Sequence, residues 1–155
     1  MAYRRSRGFA ALALASGLVA LSTVALWRRR RFVAITVDGM SMSPALYPGD
    51  KVMIRRGIKG LDSGRIVVVA RPNSVYGWKQ AEPATGDLDV SHWFIKRVAA
   101  VGGDPYPPQV PGEGTVPSGH VIVLGDNQRH SDDSRLYGPC PVDQILGVKV
   151  GRVIR

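Results

Sequence analysis

Hydrophobic and polar positions divide the chain into two unlike parts. Gly8–Trp27 is a run of twenty residues without a charge. Beyond Arg31 the apolar residues fall instead into short, β-branched runs broken by turn formers. These runs predict strands at Phe32–Val37, Lys51–Ile54, Arg65–Ala70, Trp93–Val101, His120–Leu124 and Ile145–Ile154. Eighteen glycines and eleven prolines argue against long helices in this part. The expected fold is therefore mainly β, an antiparallel sheet, over residues 32–155. Pro72–Asp89 and Gly102–Gly119 are turn-rich and read as surface loops or excursions from the sheet.

At about 1.5 Å per residue, a helix over residues 8–27 spans roughly 30 Å, the thickness of a bilayer's hydrocarbon core. Trp27 and the flanking arginines suit the headgroup interface. A cleaved secretory signal is the alternative, because Ala13-Leu14-Ala15 has the small-x-small form. The uncharged run, however, continues for twelve residues past Ala15 and then meets Arg28–Arg31, as a stop-transfer segment does. A buried core helix fits poorly with apolarity on all faces. Residues 1–31 are thus expected to form one N-terminal transmembrane anchor. Arginines flank the run on both sides, so charge counting leaves its orientation open.

Charge sharpens this division. The chain carries Lys+Arg 21 against Asp+Glu 12, a formal +9 that at first suggests nucleic acid or an anionic membrane. Seven of those cations are arginines within residues 1–31, which contain no acid. The body keeps 14 bases and 12 acids, or +2, so the excess brackets the apolar run and no nucleic-acid partner is expected. The single cysteine, Cys140, excludes a disulfide framework and an all-cysteine zinc site. Lying between two prolines, it reads as a packed or partly exposed thiol.

Three segments of the body place reactive or ion-pairing side chains beside glycine and proline. In Asp38-Gly39-Met40-Ser41-Met42-Ser43-Pro44, a serine between a flexible glycine and a turn-forming proline can present its hydroxyl, with backbone N–H groups nearby for an oxyanion. A plain turn would read the same way. In Trp93–Asp104, Lys96 lies inside an apolar strand, and alternation sends Lys96 and Arg97 to opposite faces. Facing inward, Lys96 would lose solvation, its pKa would fall, and it could act as a general base. Facing outward, the pair would guard an edge strand. In Gly125–Arg135, a polar run follows an apolar strand. It lacks a metal-ligand set of recognised spacing, and local Asx turns with an Asp–Arg pair are the modest reading.

Taken in order, the segments resemble the signal peptidase I family of membrane-bound serine proteases, bacterial and mitochondrial inner-membrane. Ser41-Met42-Ser43-Pro44 matches the family's Ser-Met-x-Pro. Lys96-Arg97 followed by Gly103-Asp104 matches its Lys-Arg and Gly-Asp. Gly125-Asp126-Asn127 and Ser131-Asp132-Asp133-Ser134-Arg135 match its Gly-Asp-Asn and Ser-x-Asp-Ser-Arg. The resemblance covers Val37 to about Arg152. It implies Ser41 as nucleophile, Lys96 as general base, Ser131 as the residue that orients the lysine amine, and an oxyanion region around Gly39. It also implies supporting pairs of Arg97 with Asp126 and of Asp133 with Arg135. No cofactor or metal is called for. The substrates would be preproteins or precursor peptides cut after small residues. The body would lie outside the cytoplasm of a single-pass plasma-membrane protein, with the mitochondrial inner membrane as the alternative. Ala45 and Gly102 depart from the family's usual threonine and proline. The short interval from Lys96 to Gly125 implies a small cap-like β region.

Rival readings are a maturation peptidase of the same family dedicated to one precursor, a self-cleaving repressor that shares a Ser-Lys dyad, and a non-catalytic membrane-tethered binding module. The repressor needs a helical DNA-binding domain where the apolar run stands. His92, His120 and His130 are scattered and pair with Cys140 in no local signature. Met40, Met42, Trp78 and Trp93 read equally as an apolar membrane-facing edge and as core.

Overall fold

The computed structural model describes residues 31–78 and 93–154. Seven strands form one sheet in the order β1-β2-β7-β3-β4-β5-β6. They are β1 (Phe32–Thr36), β2 (Lys51–Arg56), β3 (Ile66–Ala70), β4 (Trp93–Val101), β5 (His120–Leu124), β6 (Cys140–Pro141) and β7 (Ile145–Ile154). The pairings of β2 with β7, β3 with β7, β3 with β4, β4 with β5 and β5 with β6 are all antiparallel. The body is mainly β, as the apolar runs imply. The expected anchor over residues 8–27 lies outside the described residues, as does His92. Among the described residues no helix is long and apolar enough to cross a membrane.

Val67, Val69, Val98, Val121, Val123 and Val148 meet in the main core, joined by Trp78, Cys140 and Ile145. β-branched side chains fit this surface because their stiff χ1 packs well on a pleated sheet. Met42 and Leu46 are each 1% exposed, so the turn after β1 is anchored by its own apolar residues. Trp78 is buried too: its ring meets Tyr137 edge-on and its Nε1 donates to the Gly138 carbonyl. Met42 and Trp78 thus belong to the packed interior, whereas Met40 is exposed.

The Gly102–Gly119 excursion carries one isolated bridge, Pro105 with Thr115. It packs Val110 and Val116 against Ala100, Ile122 and Leu124 in a second cluster. A Cβ at Gly102 would come within 3.0 Å of the Pro117 carbonyl, so this crowded crossing accounts for a residue without a side chain there. Beyond β5 the chain makes a 3-10 turn at Gln128–His130 and a four-residue helix, α1 (Ser134–Tyr137), capped by the Asp133 carboxylate accepting from the Arg135 N–H.

Candidate active site

Four segments, together with Arg71 just past β3, converge on one cavity of about 570 Å³. β1 supplies Ala34–Thr36, the following turn Asp38–Ser41, β4 Trp93–Lys96, and the loop after β5 Arg129–Asp132. Ser41, Lys96 and Ser131, widely separated along the chain, thereby share one space.

β4 is the fixed wall. Its burial alternates from Lys96 to Ala100, with Lys96, Val98 and Ala100 inward and Arg97 and Ala99 more exposed. Lys96 is only 2% exposed. Its Nζ donates to Ser131 Oγ at 3.0 Å and sits 4.8 Å from the centre of the Phe94 ring, two residues back on the same face. Burial pushes the Lys96 pKa down from 10.5 to about 8. Asp133 and Asp132 oppose that fall, and Arg135 adds to it.

Behind Ser131 lies Asp133, 1% exposed. Ser131 Oγ donates to Asp133 Oδ2 at 2.6 Å, leaving an oxygen lone pair to accept from Lys96. The same Oδ2 accepts from the Gly125 N–H at 2.8 Å and from Arg135 Nη2 at 2.6 Å. A buried carboxylate is tolerated because charged and polar donors surround it. The hydroxyl that meets Lys96 is thus oriented by a carboxylate that is itself held from two sides.

On the other face of β4, Arg97 makes a two-point pair with Asp126: Nε to Oδ1 at 2.8 Å and Nη2 to Oδ2 at 2.6 Å. That bond also raises the arginine's pKa further above its ordinary value. Arg97 Nη1 donates to the Gly64 carbonyl at 2.8 Å, tying the loop after β5 to the turn before β3.

The serine turn meets this loop through its backbone. The Asn127 N–H donates to the Ser41 carbonyl at 2.9 Å. Gly125 lies between that carbonyl and Ser131, where an added Cβ would collide with both. Gly39 has φ +82°, the left-handed region that favours glycine, and open space where a Cβ would stand. Within the turn, the Ser43 N–H donates to the Met40 carbonyl and the Leu46 N–H to the Met42 carbonyl.

The motif residues therefore fall into two groups. Gly39, Ser41, Lys96 and Ser131 face the cavity, and Asp133 with Arg135 stands directly behind Ser131. Arg97 and Asp126 do not line it; they brace the far side of the strand and loop. Three contacts escape sequence reasoning: Ser131 to Asp133, Asn127 to Ser41, and Phe94 against Lys96. The first had a faint signal, since Ser131 and Asp133 are two apart in an extended segment. The third also lies within reach of strand alternation, since Phe94 and Lys96 are two apart on β4, whereas Asn127 meets Ser41 only through long-range folding. Cys140 is fully buried in the core, and burial pushes its thiol pKa up, away from reactivity. His130 lines the cavity and contacts Asn127 Oδ1 through Nδ1, while His120 contacts the Ser118 carbonyl. Among the described residues no group of histidine, cysteine or carboxylate side chains is arranged to hold a metal.

The family described as "Signal peptidase, peptidase S26" matches residues 9–105 and 106–154, nearly the whole chain. The chain belongs to this family. It is 25% identical to signal peptidase I V of Bacillus subtilis over 155 aligned residues, covering 86% of this chain and 92% of that protein. It is 31% identical to mitochondrial inner membrane protease subunit 1 of Schizosaccharomyces pombe over 124 residues, covering 75% and 69%. Signal peptidase IB of Staphylococcus aureus (strain Mu50) is 29% identical over 165 residues, covering 83% and 82%. As a member of the signal peptidase family, the chain is a serine peptidase, a hydrolase of peptide bonds. Ala45 lies on an exposed turn, away from the buried contacts of Lys96.

Proposed function

We propose that this protein is a membrane-anchored endopeptidase that removes signal peptides from exported preproteins by a Ser41/Lys96 dyad. The observation that carries the reading is the environment of Lys96. It is an almost fully buried amine in the cavity that Ser41 lines, bonded to Ser131 and with a pKa lowered to about 8. A neutral amine at that position is a base matched to an operating pH near neutrality.

In the acylation step Ser41 Oγ attacks the scissile carbonyl carbon, and its proton passes to the neutral Lys96 Nζ. The oxyanion that forms is stabilised by backbone N–H groups of the Gly39–Ser41 turn. Collapse of this intermediate breaks the C–N bond, and the Lys96 ammonium returns the proton to the departing amine. The signal peptide remains as an ester on Ser41. A water molecule then gives a proton to Lys96 and attacks the ester, and the proton goes to Ser41 Oγ as the free acid leaves. Ser131, held by Asp133, keeps the amine aimed through both halves.

In this reading residues 1–31 form the anchor, with the span over 8–27 and the body of residues 32–155 outside the cytoplasm. The peptide lies extended along the cavity, with small side chains before the bond. The test is cleavage of a preprotein by the detergent-solubilised full chain beside Ser41→Ala and Lys96→Ala. Cleavage by wild type alone supports the dyad. Wild type cutting no better than the two variants refutes it. Mapping the scissile bond in the same digest reads out specificity, and protease protection in sealed vesicles reads out topology.

A further inference from the structure

We propose that Asp132 is a positioning residue for Lys96: a carboxylate in the wall of the cavity they share, without a hydrogen bond or ion pair among the described residues, whose charge acts on the lysine amine. The proposal rests on Lys96 acting as the base.

Asp132 is placed firmly although its side chain is exposed. The neighbours on both sides are extended and bonded: Ser131 to Lys96 and Asp133, and Asp133 to Gly125 and the start of α1. The backbone that carries the carboxylate therefore cannot drift from the cavity. Asp133, its neighbour, is saturated by Ser131, Gly125 and Arg135. Asp132 has no hydrogen bond or ion pair among the described residues, so its charge is left to act on the cavity it lines.

The charged groups facing Lys96 come from every side. Asp132, Asp133 and Arg135 come from the loop and α1, and Arg71, at the end of β3, lies over the same Phe94 ring at 5.4 Å. Asp38 lines the cavity from the serine turn, and Arg129 and His130 line it from the 3-10 turn. Of the two acids that raise the lysine's proton affinity, Asp133 is built into the frame. Asp132 can be changed without unseating anything. A carboxylate facing solvent is screened by salt, and a peptide lying over the cavity would remove that screening.

The test is the pH dependence of kcat/KM of the full chain with a peptide bearing alanines at the first and third positions before the bond. Asp132→Asn should move the apparent pKa below that of wild type. It should raise kcat/KM at pH 6.5 roughly two- to fivefold and leave the high-pH plateau unchanged. Asp132→Glu should restore the wild-type profile, and Asp132→Lys should move it further down. Raising salt to about 1 M should draw wild type towards Asp132→Asn and leave that variant nearly still. Superimposable profiles for wild type and Asp132→Asn would overturn the proposal. So would an equal shift in Asp38→Asn, which would assign the effect to the cavity's overall charge. Activity retained in Lys96→Ala would be a different failure, that of the base assignment itself.

Discussion

The amine of Lys96 meets the hydroxyl of Ser131 at 3.0 Å, and that hydroxyl in turn donates to the buried Asp133. Ser131 therefore has a fixed donor direction, and its lone pairs face the lysine. A flexible four-carbon side chain is held in one geometry by a partner that cannot rotate away.

Ser131→Ala should accordingly lower kcat far more than it raises KM, because the amine is left without its orienting partner while the peptide surface is unchanged. The expected loss lies between about tenfold and a thousandfold, within the range that a positioned base contributes. Ser131→Thr, which keeps the hydroxyl, should recover part of it. Steady-state kinetics on the two variants decides this.

Gly125→Ala adds one methyl group where the Ser131 side chain and the Ser41 carbonyl already meet. Its backbone is not left-handed, so the penalty is one of space alone. Overpacking of this kind costs about 1–3 kcal/mol, and here relief requires the two cavity-lining serines to separate. The variant should fold, with a lower midpoint in thermal unfolding, and lose most of its peptidase activity.

Asp126→Asn breaks the two-point pair with Arg97, whose side chain is 35% exposed. Partial exposure limits the cost to about 1 kcal/mol. Thermal unfolding should show that loss, and Arg97→Lys should not substitute for the fork. Activity should fall less than in Ser131→Ala, because this pair braces the strand from behind.

Lys96→Met should stabilise the body. The folded lysine pKa, about 8, lies below the unfolded value of 10.5. Between those values the unfolded chain binds more protons, so wild-type stability rises with pH through that window. Below pH 8 the full cost of a buried ammonium is present, at most about 3 kcal/mol. The Met variant should therefore melt higher than wild type at pH 6.5, by a margin that shrinks towards pH 10.5. A constant margin across pH would mean that Lys96 is not the group responsible.

Much of the sheet was legible because β-branched runs have a two-residue period that burial enforces. β4, β5 and β7 run over the spans expected from the apolar pattern. β2 reaches Arg56, two residues beyond its apolar run, because β7 continues the ladder to Gly147 opposite it. β1 stops at Thr36 and β3 begins at Ile66, one residue inside each expected run. α1 and β6 carry no such signal: a four-residue helix and a two-residue strand are shorter than any periodicity can register. The candidate site was visible as three motifs whose order mattered more than any one of them. Nothing in their spacing could say that Asn127 would meet the Ser41 carbonyl, or that Gly125 is small because Ser131 and Ser41 approach each other there. Those are consequences of register between strands and loops far apart in the chain.

The dyad is tested most directly by the pH dependence of kcat/KM for wild-type enzyme and a preprotein substrate. Activity should rise with pH through a single ionisation near 8 and then stay level, because the neutral amine of Lys96 is the active form. A profile still rising through pH 10, as for an ordinary solvated lysine, would contradict it. So would one set by a group titrating near 6.5, as an ordinary histidine would.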